Sequence, residues 1–243
     1  MSRAAIAIFV SAGLVFLANA SAAAAGEATL RPSFRPNRPG ARAALTLALT
    51  STGGGEAGQE ELPPPLSRVL LHLPAGLRID LRGTDLCTPA RLIARGAGGC
   101  PTSSLIGRGR GVMALRPAFT TISEEATLTA FATSGHRGSP AMAILSQGYT
   151  PLEQRSVFKV ALERDARPYG LKLATTIPPM ATLGDEPNAS IMSLSLTIGS
   201  ARGSAAVVIV EPRGCHSPGF PFAADLTFAD DSSARARATA TCP

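Results

Sequence analysis

Tryptophan is absent from this 243-residue chain, tyrosine occurs twice (Tyr149, Tyr169) and lysine twice (Lys159, Lys172). So few rings argue against a single-stranded nucleic-acid platform, in which bases stack on aromatic side chains along a basic groove. Histidine is also rare, at His72, His136 and His216. There is no C-x-x-C pair, and His216 directly follows Cys215. That spacing does not suit a tetrahedral zinc site. The nucleophile elbow G-x-S-x-G is missing beyond residue 25, and so is a lipoprotein cysteine near the N-terminal segment. No apolar stretch at the C-terminus is long enough to hold the chain in a membrane as a helix. No cofactor or metal is expected on these grounds.

The N-terminus is the one long apolar run. After Arg3, the stretch Ala4–Ala18 carries no charge, and Asn19–Ala25 consists of small residues. One positive charge, a short apolar core and an A-x-A exit describe a secretory signal peptide over residues 1–25. Cleavage after Ala20, Ala22, Ala24 or Ala25 fits equally well. Residues 26–243 are then a secreted, extracellular β-rich domain with no integral span, read as a single unit with a possible sub-division near 117.

The formal charge is +6, and it comes almost wholly from arginine. A basic surface suits anionic cell-envelope polymers or another envelope protein as partners. The arginines are scattered, which again disfavours nucleic acid.

Four cysteines in an exported chain imply disulfides. Three pairings are possible, and order along the chain favours Cys87–Cys100 with Cys215–Cys242. On the chain-entropy account each contributes about 3–4 kcal/mol.

Period-two alternation dominates the rest. Leu45, Leu47 and Leu49 alternate with Thr46, Ala48 and Thr50; Met192–Ile198 and Phe222–Phe228 behave alike. One face of each strand is therefore buried and the other wet. Further strands are expected at Ala28–Phe34, Val69–Leu73, Leu77–Leu81, Val112–Leu115, Ala126–Ala132, Ala141–Ser146, Val157–Leu162, Leu171–Ile177, Ala205–Val210 and Arg235–Thr241. The last two long strands form a hairpin turning near Asp230-Asp231. One short helix follows Thr88, with Pro89 at its first position and Gly96 at its exit. Many short strands with turns between them predict an all-β fold, an antiparallel β-sandwich with one short helix and two disulfides.

Leu73–Gly111, LPAGLRIDLRGTDLCTPARLIARGAGGCPTSSLIGRGRG, and the ending Cys215–Cys242 resemble a family of uncharacterised secreted proteins of actinobacteria. That family has an L-P-x-G-L phrase, a helix between two cysteines, a G-x-G strand entry and a final hairpin bounded by cysteines. Here Phe228 stands where a tyrosine is usual, Asp231 replaces a turn glycine, and the usual tryptophan is missing. The resemblance implies export, disulfide pairing and β architecture; it carries no established activity.

Candidate chemistry is thin. His136 lies in a polar turn beside Ser134 and Ser139, and His72 lies in an apolar strand, where it either packs or points to solvent. The adjacent carboxylates Glu124-Glu125, Asp185-Glu186 and Asp230-Asp231 diverge rather than flank a bond. Asp225, Asp230 and Asp231 lack EF-hand spacing. Gly107–Gly111, GRGRG, lacks the G-K-[ST] ending of a phosphate loop and reads as a turn into a strand. Asn188-Ala189-Ser190 matches a glycosylation sequon and reads as a turn. No catalytic residue is assigned. The expected function is a non-catalytic envelope or adhesion-type binding or structural role. The alternatives are a hydrolase using His136 or an aspartate cluster, and a carrier of an apolar small molecule.

Overall fold

The structure, a computed structural model, describes residues 26–53, 62–115, 120–149, 153–180, 189–199, 208–210, 212, 214 and 218–242. The expected leader, residues 1–25, lies outside them. The strands are β1 (Glu27–Arg35), β2 (Arg42–Thr52), β3 (Leu66–Pro74), β4 (Arg78–Asp80), β5 (Leu105–Leu115), β6 (Ile122–Ser134), β7 (Pro140–Gly148), β8 (Gln154–Arg164), β9 (Tyr169–Thr176), β10 (Ser190–Ile198), β11 (Val208–Val210), β12 (Phe220–Phe228) and β13 (Ser233–Ala240). The helix α1 spans Pro89–Arg95.

The expected sandwich is corrected to a near-closed barrel. One continuous antiparallel sheet runs β13-β12-β3-β9-β8-β7-β6-β5-β10-β2, and β1 pairs with the outer edge of β2. β1 then lies against β13, so the two ends of the sheet meet. Asn37 donates from Nδ2 to the Thr241 carbonyl at 2.9 Å beside this seam. Behind it, Phe34 packs edge-on to Phe220 with ring centroids 5.9 Å apart, and 6.0 Å from Phe222. Period-two alternation cannot separate the two architectures, because both bury one face of every strand. Strands on both sides of position 117 belong to this one sheet.

β5 supplies part of the curvature. Gly107, Gly109 and Gly111 face inward, while Arg108 and Arg110 are exposed outside. The inward glycines let β10 come close: a Cβ at Gly109 would lie 2.9 Å from the Leu196 Cα and within the repulsive wall of the Ser195 carbonyl. GRGRG is therefore mid-strand, not the turn expected from its composition. Register shifts on β3, β5, β10 and β12 add local bends.

The lumen is filled rather than hollow. Phe34, Phe222, Phe228, Leu45, Leu73 and Leu226 are among the buried side chains of one apolar cluster. A second, smaller cluster sits outside the wall: Leu92 of α1 and Cys87 cover Phe131, Ala143 and Leu145 on β6 and β7. The helix begins as its sequence requires, with the Thr88 hydroxyl accepting from Arg91 N–H at 3.3 Å and proline in the first turn. Gly96, at φ +64°, closes it by donating to the Leu92 carbonyl. The Cys87–Cys100 disulfide brackets this segment, with Cα atoms 5.5 Å apart. Of the two expected bridges, this is the one seen. Cys215 lies outside the described residues, and no described cysteine is free. No helix among the described residues is long and apolar enough to cross a membrane.

Candidate functional site at the barrel mouth

At one end of the barrel, β11 pairs with both β2 and β4. The three short segments stand beside the turn joining β6 to β7. Between them opens a cleft of about 930 Å3, inside the range of ordinary small-molecule sites, roughly 300–1,000 Å3. Its walls include Leu77, Leu81, Leu86 and Leu171, and its charged lining is Arg42, Arg78, Asp80 and Arg82. Leu86 is 53% exposed, so its side chain presents apolar surface to the cleft.

The local sequence explains the placement. Pro74, Ala75 and the positive-φ Gly76 turn the chain out of β3 and into β4. Arg42 and Arg78 are paired with the same residue, Val210, from its two sides. Their Cα atoms are thus about two strand spacings apart, roughly 10 Å. Asp80 is already engaged: its carboxylate receives Arg82 Nε at 2.9 and 3.1 Å and a terminal guanidinium nitrogen at 2.6 Å. The Arg82 side chain holds the Asp80 carboxyl down to about 2. Arg42 and Arg78 form no ion pair among the described residues. Three guanidiniums against one carboxylate leave the cleft a formal excess of two positive charges.

A second polar cluster lies on the outer wall, across β9, β3, β12 and β13. His72 neither packs in apolar surroundings nor points freely to solvent, as its strand suggested. Nδ1 lies 2.6 Å from Asp165 and Nε2 3.0 Å from Asp225. The imidazole thus bridges two carboxylates, one at each ring nitrogen. Arg235 binds the other Asp225 oxygen at 3.1 Å, Lys172 binds Glu163 at 3.0 Å, and the Tyr169 ring lies 5.1 Å from the imidazole. The carboxylates occupy opposite ring nitrogens, so the three groups cannot converge on one metal ion. Nor does a nucleophile complete a triad among the described residues. This cluster was illegible in the sequence, since Asp165 and Asp225 reach His72 only through strand order.

The remaining expected residues are dispersed. His136 and Arg137 sit in an exposed 3-10 turn between β6 and β7, and no hydrogen bond joins His136 to Ser134 or Ser139 among the described residues. Glu124 and Glu125 lie mid-strand and diverge: Glu125 is exposed, while Glu124 is buried in the barrel interior. Burial pushes the Glu124 carboxyl up. Its side chain crosses Gly148, where a Cβ would sit 2.6 Å from the Glu124 Cδ. Oε1 of Glu124 and Oε1 of Gln154, which pairs with Gly148 across the next strand, have no hydrogen-bond partner among the described residues. Asp230 and Asp231 form the β12–β13 turn, where Ser232 bonds Asp230 and holds its carboxyl below the usual range. Asp225 stands on the strand, away from that turn. Asp185, Glu186, Asn188 and His216 lie outside the described residues.

Fold and site define a class: a near-closed antiparallel barrel with a side-chain-filled lumen, a disulfide-clamped helix on its wall and a basic, apolar-walled cleft at one mouth. No protein-family model, curated protein or solved structure matches the chain.

Proposed function

We propose that the chain is an exported, non-catalytic binding protein whose binding surface is the cleft at the barrel mouth. The observation that carries this reading is the pairing, in one cleft, of apolar walls with two exposed arginines, Arg42 and Arg78, that form no ion pair among the described residues. Both arginines are exposed, so water solvates them in the free protein and an anionic ligand can take its place. The filled lumen disfavours the alternative of an apolar ligand held inside the barrel. His136 forms no ion pair with an acid among the described residues, which disfavours the hydrolase alternative.

Export rests on the N-terminal leader, and the Cys87–Cys100 disulfide agrees with an oxidising compartment. Membership of the secreted actinobacterial family belongs to the same reading, as does a Cys215–Cys242 bridge closing the final hairpin. Non-reducing peptide mapping should recover that pair, and crossed pairs or free thiols would remove it. The binding reading itself is tested with the purified chain, residues 26–243, on panels of ester, glycoside and peptide substrates. No turnover is expected. Turnover abolished by His136→Ala would overturn the reading in favour of a hydrolase.

A further inference from the structure

Resting on that reading, we propose that the mouth cleft takes a free single-chain anionic amphiphile: one alkyl chain ending in a phosphate or carboxylate. Two features of the cleft set this class. The first is charge. Asp80 and Arg82 are joined through three short contacts, so their opposite charges largely offset each other. Arg42 and Arg78 remain, both exposed and in register with Val210, on the same face of the sheet and two strands apart. Guanidinium forks on two flanking strands, with Cα atoms roughly 10 Å apart, can close from both sides on one oxyanion group. A neutral head would leave both exposed arginines to solvent, and a cationic head would be repelled by them.

The second feature is the apolar wall. Leu77 is buried, while Leu86 stands exposed beside the arginines, with Leu81 and Leu171 continuing the surface. Inorganic phosphate would satisfy the charges and leave this wall wet. An alkyl chain would cover it, at about 25 cal/mol for each Å2 of apolar surface removed from water. The volume of about 930 Å3 admits one chain with its head group but is small for a folded peptide element. An acidic peptide would also have to satisfy its own backbone groups against leucine side chains, which offer no partners.

The test is calorimetric titration of the disulfide-intact chain, residues 26–243, with decyl phosphate below its micelle concentration. Decyl maltoside, inorganic phosphate and phosphatidylglycerol vesicles serve as comparisons. Saturable one-to-one binding of decyl phosphate is expected, with inorganic phosphate at least a hundredfold weaker. The double variant Arg42→Gln/Arg78→Gln should weaken binding at least tenfold while its thermal midpoint stays unchanged. Arg42→Lys/Arg78→Lys should recover part of the loss, and Leu86→Ser should weaken binding severalfold. Equal affinity for decyl maltoside, affinity indifferent to the double variant, or binding to vesicles alone would overturn the inference. No decyl phosphate binding by the native chain, with no turnover of any substrate, would overturn the ligand class and leave the binding reading standing. Substrate turnover would remove the binding reading instead.

Discussion

Replacing Gly109 with alanine is a severe test of the barrel, because the added methyl has nowhere to go. Its Cβ would fall 2.9 Å from the Leu196 Cα and 3.0 Å from the Ser195 carbonyl carbon, and closer still to that carbonyl's oxygen. All three atoms are backbone of β10, so no side-chain rotation relieves the contact; the β5–β10 ladder itself must spread. Overpacking of this kind costs about 1–3 kcal/mol, and a purely backbone obstruction belongs near the top of that range. In a domain of this size, 2–3 kcal/mol lowers the thermal midpoint by roughly 5–10 °C. Gly111→Ala on the same face meets a movable Leu194 methyl at 3.0 Å and the Ser193 carbonyl oxygen only at 3.2 Å, a much milder backbone contact than at Gly109. Its unfolded-state entropy gain of about 0.4–1 kcal/mol largely offsets the crowding, so it should be near neutral. Gly107→Ala, 2.7 Å from the Thr197 carbonyl oxygen, should fall between. Arg110→Ala, exposed on the outer face, should change stability by less than about 0.5 kcal/mol. Far-UV circular dichroism melts are the assay, as the chain has no tryptophan to follow. A Gly109→Ala protein as stable as the native one, or less perturbed than Gly111→Ala, would refute this account of the curvature.

Three further outcomes are expected. Cys87→Ser/Cys100→Ser opens the bracket around α1 and should cost about 3 kcal/mol, with hydrogen exchange rising over residues 87–100 before the barrel strands. Glu124 has its carboxyl raised by burial, so the native state favours the protonated form; its contribution is complete below the ordinary value of 4.5 and is lost as pH rises through the raised value. Glu124→Gln should therefore be more stable than the native chain at pH 7 in urea titrations, with the advantage shrinking toward pH 4.5; a constant difference would refute the burial argument. His72→Ala strips both Asp165 and Asp225 of a hydrogen-bonded partner and should cost about 2 kcal/mol in the same titrations; a neutral effect would mean that the outer-wall cluster is merely solvated surface.

Strand positions were legible because alternation at β2, β10 and β12 reports burial of one face directly. The helix was legible because Thr88, Pro89 and Gly96 each satisfy a specific need at a helix end. Closure was not. Alternation carries no information about which strand lies beside which, and β10 between β2 and β5, or β3 between β9 and β12, is decided by packing over long sequence separations. The same limit hid the candidate cleft. Arg42 and Arg78 are ordinary arginines in the sequence and become a pair only because β11 lies between them. Gly107–Gly111 did carry a signal, since glycines at every second position leave one strand face bare, but its repeated Gly and Arg also resemble a loop.

The most direct test of the central claim is a crystal structure of residues 26–243 grown with decyl phosphate. The account predicts its phosphate between the Arg42 and Arg78 guanidiniums and its chain along Leu86, with the barrel lumen still filled by phenylalanine and leucine. Decyl phosphate within the lumen, or a cleft left empty at saturating concentration, would contradict it.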